Sequence, residues 1–168
     1  GLAEVSTSLV AFLDADCLPR PGWIELLLEQ FGDPAVAVVA PRITAIEPLG
    51  APDHPLLSRY ERVNASLDRG TQRGRVRART RISYVPSAAL VCRVDALNAA
   101  GGFDEAMSVG EDVDLVWKLD EAGHTVRYEP GVMVGHRHRT TPWDWLRRRF
   151  DYGTSAGPLA KRHPGALA

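Results

Sequence analysis

The sequence predicts a single α/β domain in which helices cover a mainly parallel sheet. Apolar runs of strand length lie at residues 8–13 and 36–40, and apolar side chains recur at helical spacing between them. A strand, a helix and a strand within about 33 residues are typical of a parallel βαβ unit. The chain has 168 residues, 45% of them hydrophobic and 24% charged, which is enough for one core and excludes a disordered chain.

The individual elements follow from local patterns. Pro21 is well placed to begin a helix at 21–30, and the Gly-Asp-Pro sequence at 32–34 ends that helix. Acidic residues in a first turn begin a stronger helix at 111–122. The remaining predicted elements are a helix at 57–68, strands at 82–85 and 90–92, a helix at 94–100, strands at 125–128 and 132–134, and a helix at 143–150. We therefore expect one domain over 1–168, with a terminal helix and tail at 143–168.

Charge and cysteine content limit the classes of partner. The 20 Lys and Arg residues against 21 Asp and Glu residues give a net charge of −1, which predicts no nucleic-acid partner. Cys17 and Cys92 form no disulfide framework and no zinc spacing, so each is expected to be a small buried hydrophobic residue. A reducing, cytoplasmic location fits best. No apolar stretch approaches the roughly 20 residues that span a bilayer.

Asp14 and Asp16 follow the first predicted strand directly. Parallel α/β sheets bind ligands at the carboxyl ends of their strands, and two carboxylates there suit Mg²⁺ or Mn²⁺ holding phosphates. An Asp-x-Asp sequence by itself is common and usually means only a capped turn. Its position after a buried strand favours the cation site.

Two further groups carry acids and histidines. Glu111 and Asp112, at the start of a helix, can face a cleft and supply a general base, although helix-terminus electrostatics alone also explains acids there. His136 and His138 share a face of an extended chain, and either could complete a metal sphere. An isolated histidine pair more often has a surface or structural role.

The terminal helix alternates aromatic and basic residues. Trp143, Trp145 and Phe150 are interleaved with arginines at 147–149. Such a helix could lie on an anionic membrane surface or cover an acceptor cleft, with the aromatic pair Trp143 and Trp145 in contact with a sugar. The ordinary alternative is a packed terminal helix, which is favoured because three consecutive arginines cannot share one side of a short helix.

Four sequence blocks, in order, resemble the catalytic half of glycosyltransferase family 2. They are FLDAD at 12–16, PSAALVCR at 86–93, GGFDE at 101–105 and GEDVDL at 110–115, and YEP at 128–130 leading to His136 fits as a fifth. The order and spacing together are far more specific than any one block. The tail at 147–154 adds similarity to members that decorate a peptide-derived redox cofactor, of the mycofactocin type, with sugars.

The resemblance implies a GT-A-like fold with a mixed, mainly parallel sheet and flanking helices. It assigns Asp16, with Asp14, to the cation that bridges a nucleotide-diphosphate sugar, Asp112 to the catalytic base, and His136 to the cation, with His138 as the alternative. Residues in or near the blocks are expected to contact substrate: Glu111, Ser87, Ala88, Asp104 and Trp143. The reaction expected is inverting transfer, without a covalent intermediate, from a UDP-linked donor to an acceptor hydroxyl.

The chain departs from the family pattern in two places. It carries Pro-Ser-Ala at 86–88 where many members carry Thr-Gly-Ala, and only seven residues precede Ser8, where the family has its nucleotide-binding strands. We therefore expect a fragment of a longer protein, lacking the N-terminal nucleotide-binding strands and having weak or no turnover alone. The strand at 8–13, buried on both faces, would then expose an apolar edge and pair two chains into a homodimer.

Two alternatives remain open at this point. A haloacid dehalogenase-like phosphatase also ends an apolar strand in Asp-x-Asp, but Leu18 stands where that class has Thr or Val, and no lysine lies between the two acidic blocks. A non-catalytic binding module would use the same acids and histidines only as surface groups.

Overall fold

The computed structural model describes residues 2–46, 54–137 and 141–167. Short 3-10 turns lie at Leu2–Glu4 and Glu29–Gly32. The strands are β1 (Leu9–Leu13), β2 (Cys17–Pro19), β3 (Val36–Ile46), β4 (Gly74–Arg75), β5 (Ala89–Arg93) and β6 (Thr125–Arg137). The helices are α1 (Trp23–Leu28), α2 (Pro55–Asn64), α3 (Val94–Ala99), α4 (Glu111–Glu121), α5 (Pro142–Thr154) and α6 (Ala156–Arg162).

The strands form one sheet in the order β1, β5, β3, β6, β2, and β4 pairs with the first half of β6. The predicted mixed α/β architecture with flanking helices is confirmed, but a mainly parallel sheet is wrong. Among the described strand pairs only β3 and β6 run parallel, whereas β5 is antiparallel to both β1 and β3. Strands β1 and β3 do run in the same direction, as a βαβ unit requires, but β5 lies between them.

Three predicted strand details differ from the structure, because an apolar stretch of sequence does not reveal which elements will pack beside it. Strand β1 is not buried on both faces, because it lies at the edge of the described sheet and leaves Leu13 42% exposed. The segment 82–85 is irregular rather than a strand, although Ile82 and Val85 are buried. The strands expected at 125–128 and 132–134 are one strand, β6, with a register shift at its middle.

Alternate side chains of the central strands build a core on each face of the sheet. On β5, Leu90 and Cys92 face the cluster beneath α3, α4 and α6, while Ala89 and Val91 face the cluster beneath α1. Cys17 and Cys92 are free and buried, as predicted, and burial raises the pKa of both thiols to about 12. No helix in the described ranges has the length and apolar character to cross a membrane.

A buried ionic cluster joins α6 to α4. Asp114 is fully buried, and its Oδ1 lies 3.0 Å from His163 Nε2. His163 Nδ1 lies 2.8 Å from Glu121 Oε1, and Lys118 Nζ lies 2.6 Å from Asp114 Oδ2. The ring of Trp117 packs edge-on against His163 at 5.2 Å. Helix α6 is therefore held against α4, and the first turn of α4 carries Asp112.

Replacing His163 with alanine is expected to lower the free energy of unfolding by about 2 kcal/mol or more, because a buried carboxylate loses one of its partners. Urea denaturation followed by circular dichroism measures this. The matched control is His124→Ala, at a half-buried histidine outside the cluster, which should change stability by less than about 0.5 kcal/mol. Equal stability of the two variants would contradict the role given to the cluster.

Candidate functional site

One cavity of about 390 Å³ lies where the ends of β1 and β6 meet the first turn of α4. Residues far apart in the sequence line it together. Those predicted from sequence are Asp14, Asp16, Ser87, Ala88, Glu111, Asp112 and His136. The fold thus brings the separate acidic and histidine motifs to a single site.

Strand pairing places Asp16 beside His136. Strand β2 runs antiparallel to the end of β6 with Cys17 opposite His136, and the Arg137 N–H donates to the Asp16 carbonyl at 3.1 Å. As a result His136 Nε2 lies 3.4 Å from Asp16 Oδ2. The Asp16 side chain is about half exposed, so the carboxylate stays open to a ligand from the cavity.

Asp14 is held next to the Pro-Ser-Ala segment. Its backbone N–H donates to the Ala88 carbonyl at 2.9 Å, and its carbonyl accepts from the Cys17 N–H at 3.0 Å. The turn between β1 and β2 is therefore fixed at both ends, which aims the two aspartates of the motif at the same cavity.

Asp112 is a half-buried carboxylate in the first turn of α4. Burial, and then the charge of Glu111, raise the pKa of Asp112 to about 6. The Ser87 N–H donates to Asp112 Oδ2 at 3.3 Å, and the Val113 N–H donates to Oδ1 at 2.8 Å. A carboxyl group with this pKa can take up a proton near neutral pH, as a general base must.

Gly110 lets α5 and α6 approach this turn. Its φ of 85° lies in the left-handed region that favours glycine, and a Cβ at this position would lie 2.7 Å from Ser155 Cβ. The start of α4 and the junction between the terminal helices are thus in direct contact behind Asp112.

The donor set suits a hard divalent cation, although the site is not a preformed cage. Asp14, Asp16 and His136 supply carboxylate oxygens and an imidazole nitrogen to one cavity, which are ligands that Mn²⁺ accepts. In the part of the chain that the structure describes, no three His, Cys, Asp or Glu side chains lie close enough to hold a metal ion. His138, the alternative ligand, lies outside the described residues.

Two residues expected to contact substrate lie outside the cavity. Asp104 pairs with Arg162 and accepts from the Ala106 N–H at 2.8 Å; that N–H and then Arg162 hold the pKa of Asp104 below its usual value. Trp143 is 73% exposed on the outer side of α5. Trp145 lines the cavity instead, because two residues along a helix turn the side chain to nearly the opposite side.

Helices α2 and α5 contribute cavity residues that sequence reasoning missed. These are Glu61 from α2 and Arg148, Arg149 and Tyr152 from α5. A signal for Glu61 was present, since it shares a helix face with Leu57 and Ser58, and a carboxylate on an inward face is unusual. The helix α5 has no buried residue and leaves Leu146 and Phe150 exposed, so the favoured interpretation as an ordinary packed helix is only partly correct.

Comparisons with known proteins show which family the chain resembles. A family model described as "Glycosyltransferase like family 2" matches residues 1–151. The chain is 52% identical to "Pre-mycofactocin glycosyltransferase" of Mycobacterium tuberculosis (strain ATCC 25618 / H37Rv), over all of this chain and 35% of that protein. It is 27% identical over 149 residues to "Polypeptide N-acetylgalactosaminyltransferase 12" of Mus musculus, covering 81% of this chain and 26% of that protein.

A solved structure shares the fold. "Crystal structure of GalNAc-T7 with UDP, GalNAc and Mn2+" superposes with a TM-score of 0.58 at 17% identity, covering 82% of this chain and 29% of that chain. The family match and the identity to the mycobacterial proteins favour the glycosyltransferase family over the phosphatase class and the binding module. The chain spans about a third of the length of the curated relatives it matches, 35% for the mycobacterial proteins.

Proposed function

The chain belongs to the glycosyltransferase-like family 2, and we propose that it carries the chemistry of an inverting sugar transfer from a UDP-linked donor to an acceptor hydroxyl. The single observation that supports this most is the convergence of Asp14, Asp16, Asp112 and His136 on one cavity. Hydrophobic packing does not explain why four polar side chains from distant parts of the sequence line the same cavity, whereas a shared function does.

Asp112 is the general base in this proposal. Its carboxylate takes the proton of the acceptor hydroxyl while the acceptor oxygen forms a bond to the anomeric carbon. The bond from that carbon to the diphosphate breaks, and its electron pair leaves with the nucleotide. The raised pKa of Asp112, about 6, supports this role because a more basic carboxylate accepts a proton more readily.

Asp14, Asp16 and His136 would hold the cation, either Mn²⁺ or Mg²⁺. When bound, such a cation stabilises the negative charge that develops on the departing diphosphate. The 3.4 Å approach of His136 to Asp16 supports a shared ligand role. Glu111, Ser87 and Ala88 line the same cavity and would contact the donor or the acceptor.

A peptide-derived, mycofactocin-type cofactor is the acceptor that we propose, because the chain is 52% identical to a pre-mycofactocin glycosyltransferase.

The term full-length enzyme denotes a protein of the relatives' length that contains this chain. We propose that the enzyme works in the cytoplasm, that the chain alone turns over weakly or not at all, and that two such chains pair along β1. A stable monomer in light scattering across a wide concentration range would contradict that pairing.

Calorimetric titration of UDP into the full-length enzyme tests the proposed function. We expect binding in the presence of Mn²⁺ that weakens by about tenfold or more when EDTA removes the cation, because a coordinated cation offsets the charge of the diphosphate. CMP, which lacks the diphosphate, is the control ligand and should show no such dependence. UDP binding that is equally tight with and without the cation would contradict the proposed role of the cation. Absence of UDP binding would contradict the proposal that the donor is UDP-linked.

A further inference from the structure

Glu61 is a buried carboxylate in the cavity to which the proposed chemistry gives no role. It is 6% exposed, it lies on α2, and it lines the same cavity as Asp112. Burial of a carboxylate is costly unless partners compensate it. Trp145 Nε1–H donates to Glu61 Oε1 at 2.6 Å, and Arg149 Nη2 lies 3.1 Å from the same oxygen.

The second carboxylate oxygen of Glu61, Oε2, is left without a donor by the residues that the structure describes. Oε2 keeps some contact with solvent, and Glu61 is one of the residues that line the cavity. An ionised carboxylate offers about four acceptor positions. A ligand in the cavity can therefore donate hydrogen bonds to a side chain that α5 already holds in place.

The surroundings of Glu61 favour a hydroxyl-bearing ligand over a cation. Arg148 and Arg149 also line the cavity, and their positive charges oppose a second metal ion. Trp145 lines the cavity, and its ring is held by an edge-on contact with Tyr60 at 5.8 Å and by the Arg149 guanidinium, which lies 4.8 Å from the ring centroid. An aromatic ring beside a carboxylate suits a carbohydrate ring, which has both an apolar C–H surface and hydroxyl donors.

We propose that Glu61 recognises a pair of neighbouring hydroxyl groups on a carbohydrate ring that lies against Trp145. This inference rests on the proposed function only in that the ring belongs to the donor sugar or to a sugar-bearing acceptor. Glu61 is thus a specificity-determining residue, and the contact with α5 positions its carboxylate.

Glycoside binding by the purified chain tests the proposal. Saturation-transfer NMR with methyl glucopyranoside, galactopyranoside and mannopyranoside should show binding of at least one to the wild type. Glu61→Gln keeps an oxygen for Trp145 and Arg149 but turns an amide donor toward the ligand, and should weaken binding by about tenfold or more. The control is Glu25→Gln, at an exposed acid outside the cavity, which should bind as the wild type does.

A measurement that needs no variant covers the case in which Glu61→Gln lowers thermal stability. Deoxy analogues of the bound glycoside, each lacking one hydroxyl, should lose about tenfold or more in affinity for the wild type at two neighbouring positions. Absence of glycoside binding by the wild type, equal binding by Glu61→Gln, or equal binding of every deoxy analogue would each overturn the proposal.

Competition in the full-length enzyme distinguishes the two sources of the ring. If UDP-sugars displace the glycoside and UDP does not, Glu61 contacts the donor sugar. If the glycoside and a UDP-sugar bind at the same time, Glu61 contacts the acceptor. Either result supports the proposal. Failure of the proposed function is separable, because that failure appears in the UDP titration, whereas glycoside binding requires neither UDP nor a cation.

Discussion

Replacing Asp112 with asparagine is expected to abolish sugar transfer by the full-length enzyme, with a loss of at least about 100-fold in kcat. Asparagine keeps the size and the hydrogen-bond acceptor that meets the Ser87 N–H, but it cannot take a proton from the acceptor hydroxyl. The donor KM should change little. Product formation from radiolabelled donor measures the loss, and retention of more than a tenth of wild-type kcat would contradict the assignment.

The same substitution is expected to stabilise the chain at neutral pH. The pKa of Asp112 is about 6 in the folded chain against 3.8 ordinarily, so its contribution to stability is fully present below about pH 4 and is lost as pH rises through about 6. Above that pH the folded chain bears a poorly solvated charge, which asparagine removes. Asp112→Asn should therefore raise the free energy of unfolding by up to about 2 kcal/mol near pH 7.5.

Urea denaturation at several pH values measures this difference. The gain should shrink as the pH falls toward about 4, where both proteins are neutral at this position. Asp114→Asn is the matched control in the same helix: it should destabilise the chain at every pH from 5 to 8, because Asp114 is buried among Lys118, Arg162 and His163. A gain that does not depend on pH would contradict the burial explanation.

Replacing Asp16 with asparagine is expected to remove most of the cation affinity. Asparagine preserves the turn between β1 and β2 but loses the negative charge that faces His136 across 3.4 Å. Removing groups that only support a metal ligand costs 10- to 100-fold in affinity, so loss of a direct ligand should cost at least that. Mn²⁺ titration followed by electron paramagnetic resonance measures it.

Controls separate a ligand effect from a change in net charge. Glu105→Gln removes one negative charge from an exposed acid outside the cavity and should leave Mn²⁺ affinity unchanged. Asp14→Asn should weaken the affinity as well, since Asp14 lines the same cavity. Equal Mn²⁺ affinity of Asp16→Asn and Glu105→Gln would contradict the cation site.

Much of the fold could be predicted because its elements carry local signals. Pro21, the Gly-Asp-Pro sequence and the acidic first turn of α4 set helix ends that the structure confirms within a few residues. The sheet's pairing could not be predicted in the same way. Strand β5 follows a long irregular segment, and nothing in its apolar sequence states whether it enters the sheet parallel or antiparallel to β3.

The same distinction holds for the candidate site: residues that local signals position could be predicted, and residues that tertiary contacts position could not. The motif residues reach one cavity because strand ends and a helix start are where α/β folds place ligands. Trp145 rather than Trp143 lines the cavity, because the rotation of α5 about its axis decides which side chain faces inward. Asp104 instead forms an ion pair with Arg162 of α6, a helix distant in the sequence. Glu61 depends on the contact between α2 and α5, which no local pattern specifies.

The most direct measurement is a crystal structure of the full-length enzyme grown with Mn²⁺ and UDP, with anomalous scattering collected to locate the metal. We expect one anomalous peak within bonding distance of Asp16 and His136, with the diphosphate on the metal and Asp112 open to the far side of the cavity. A peak elsewhere in the molecule, or UDP bound away from these residues, would contradict the account.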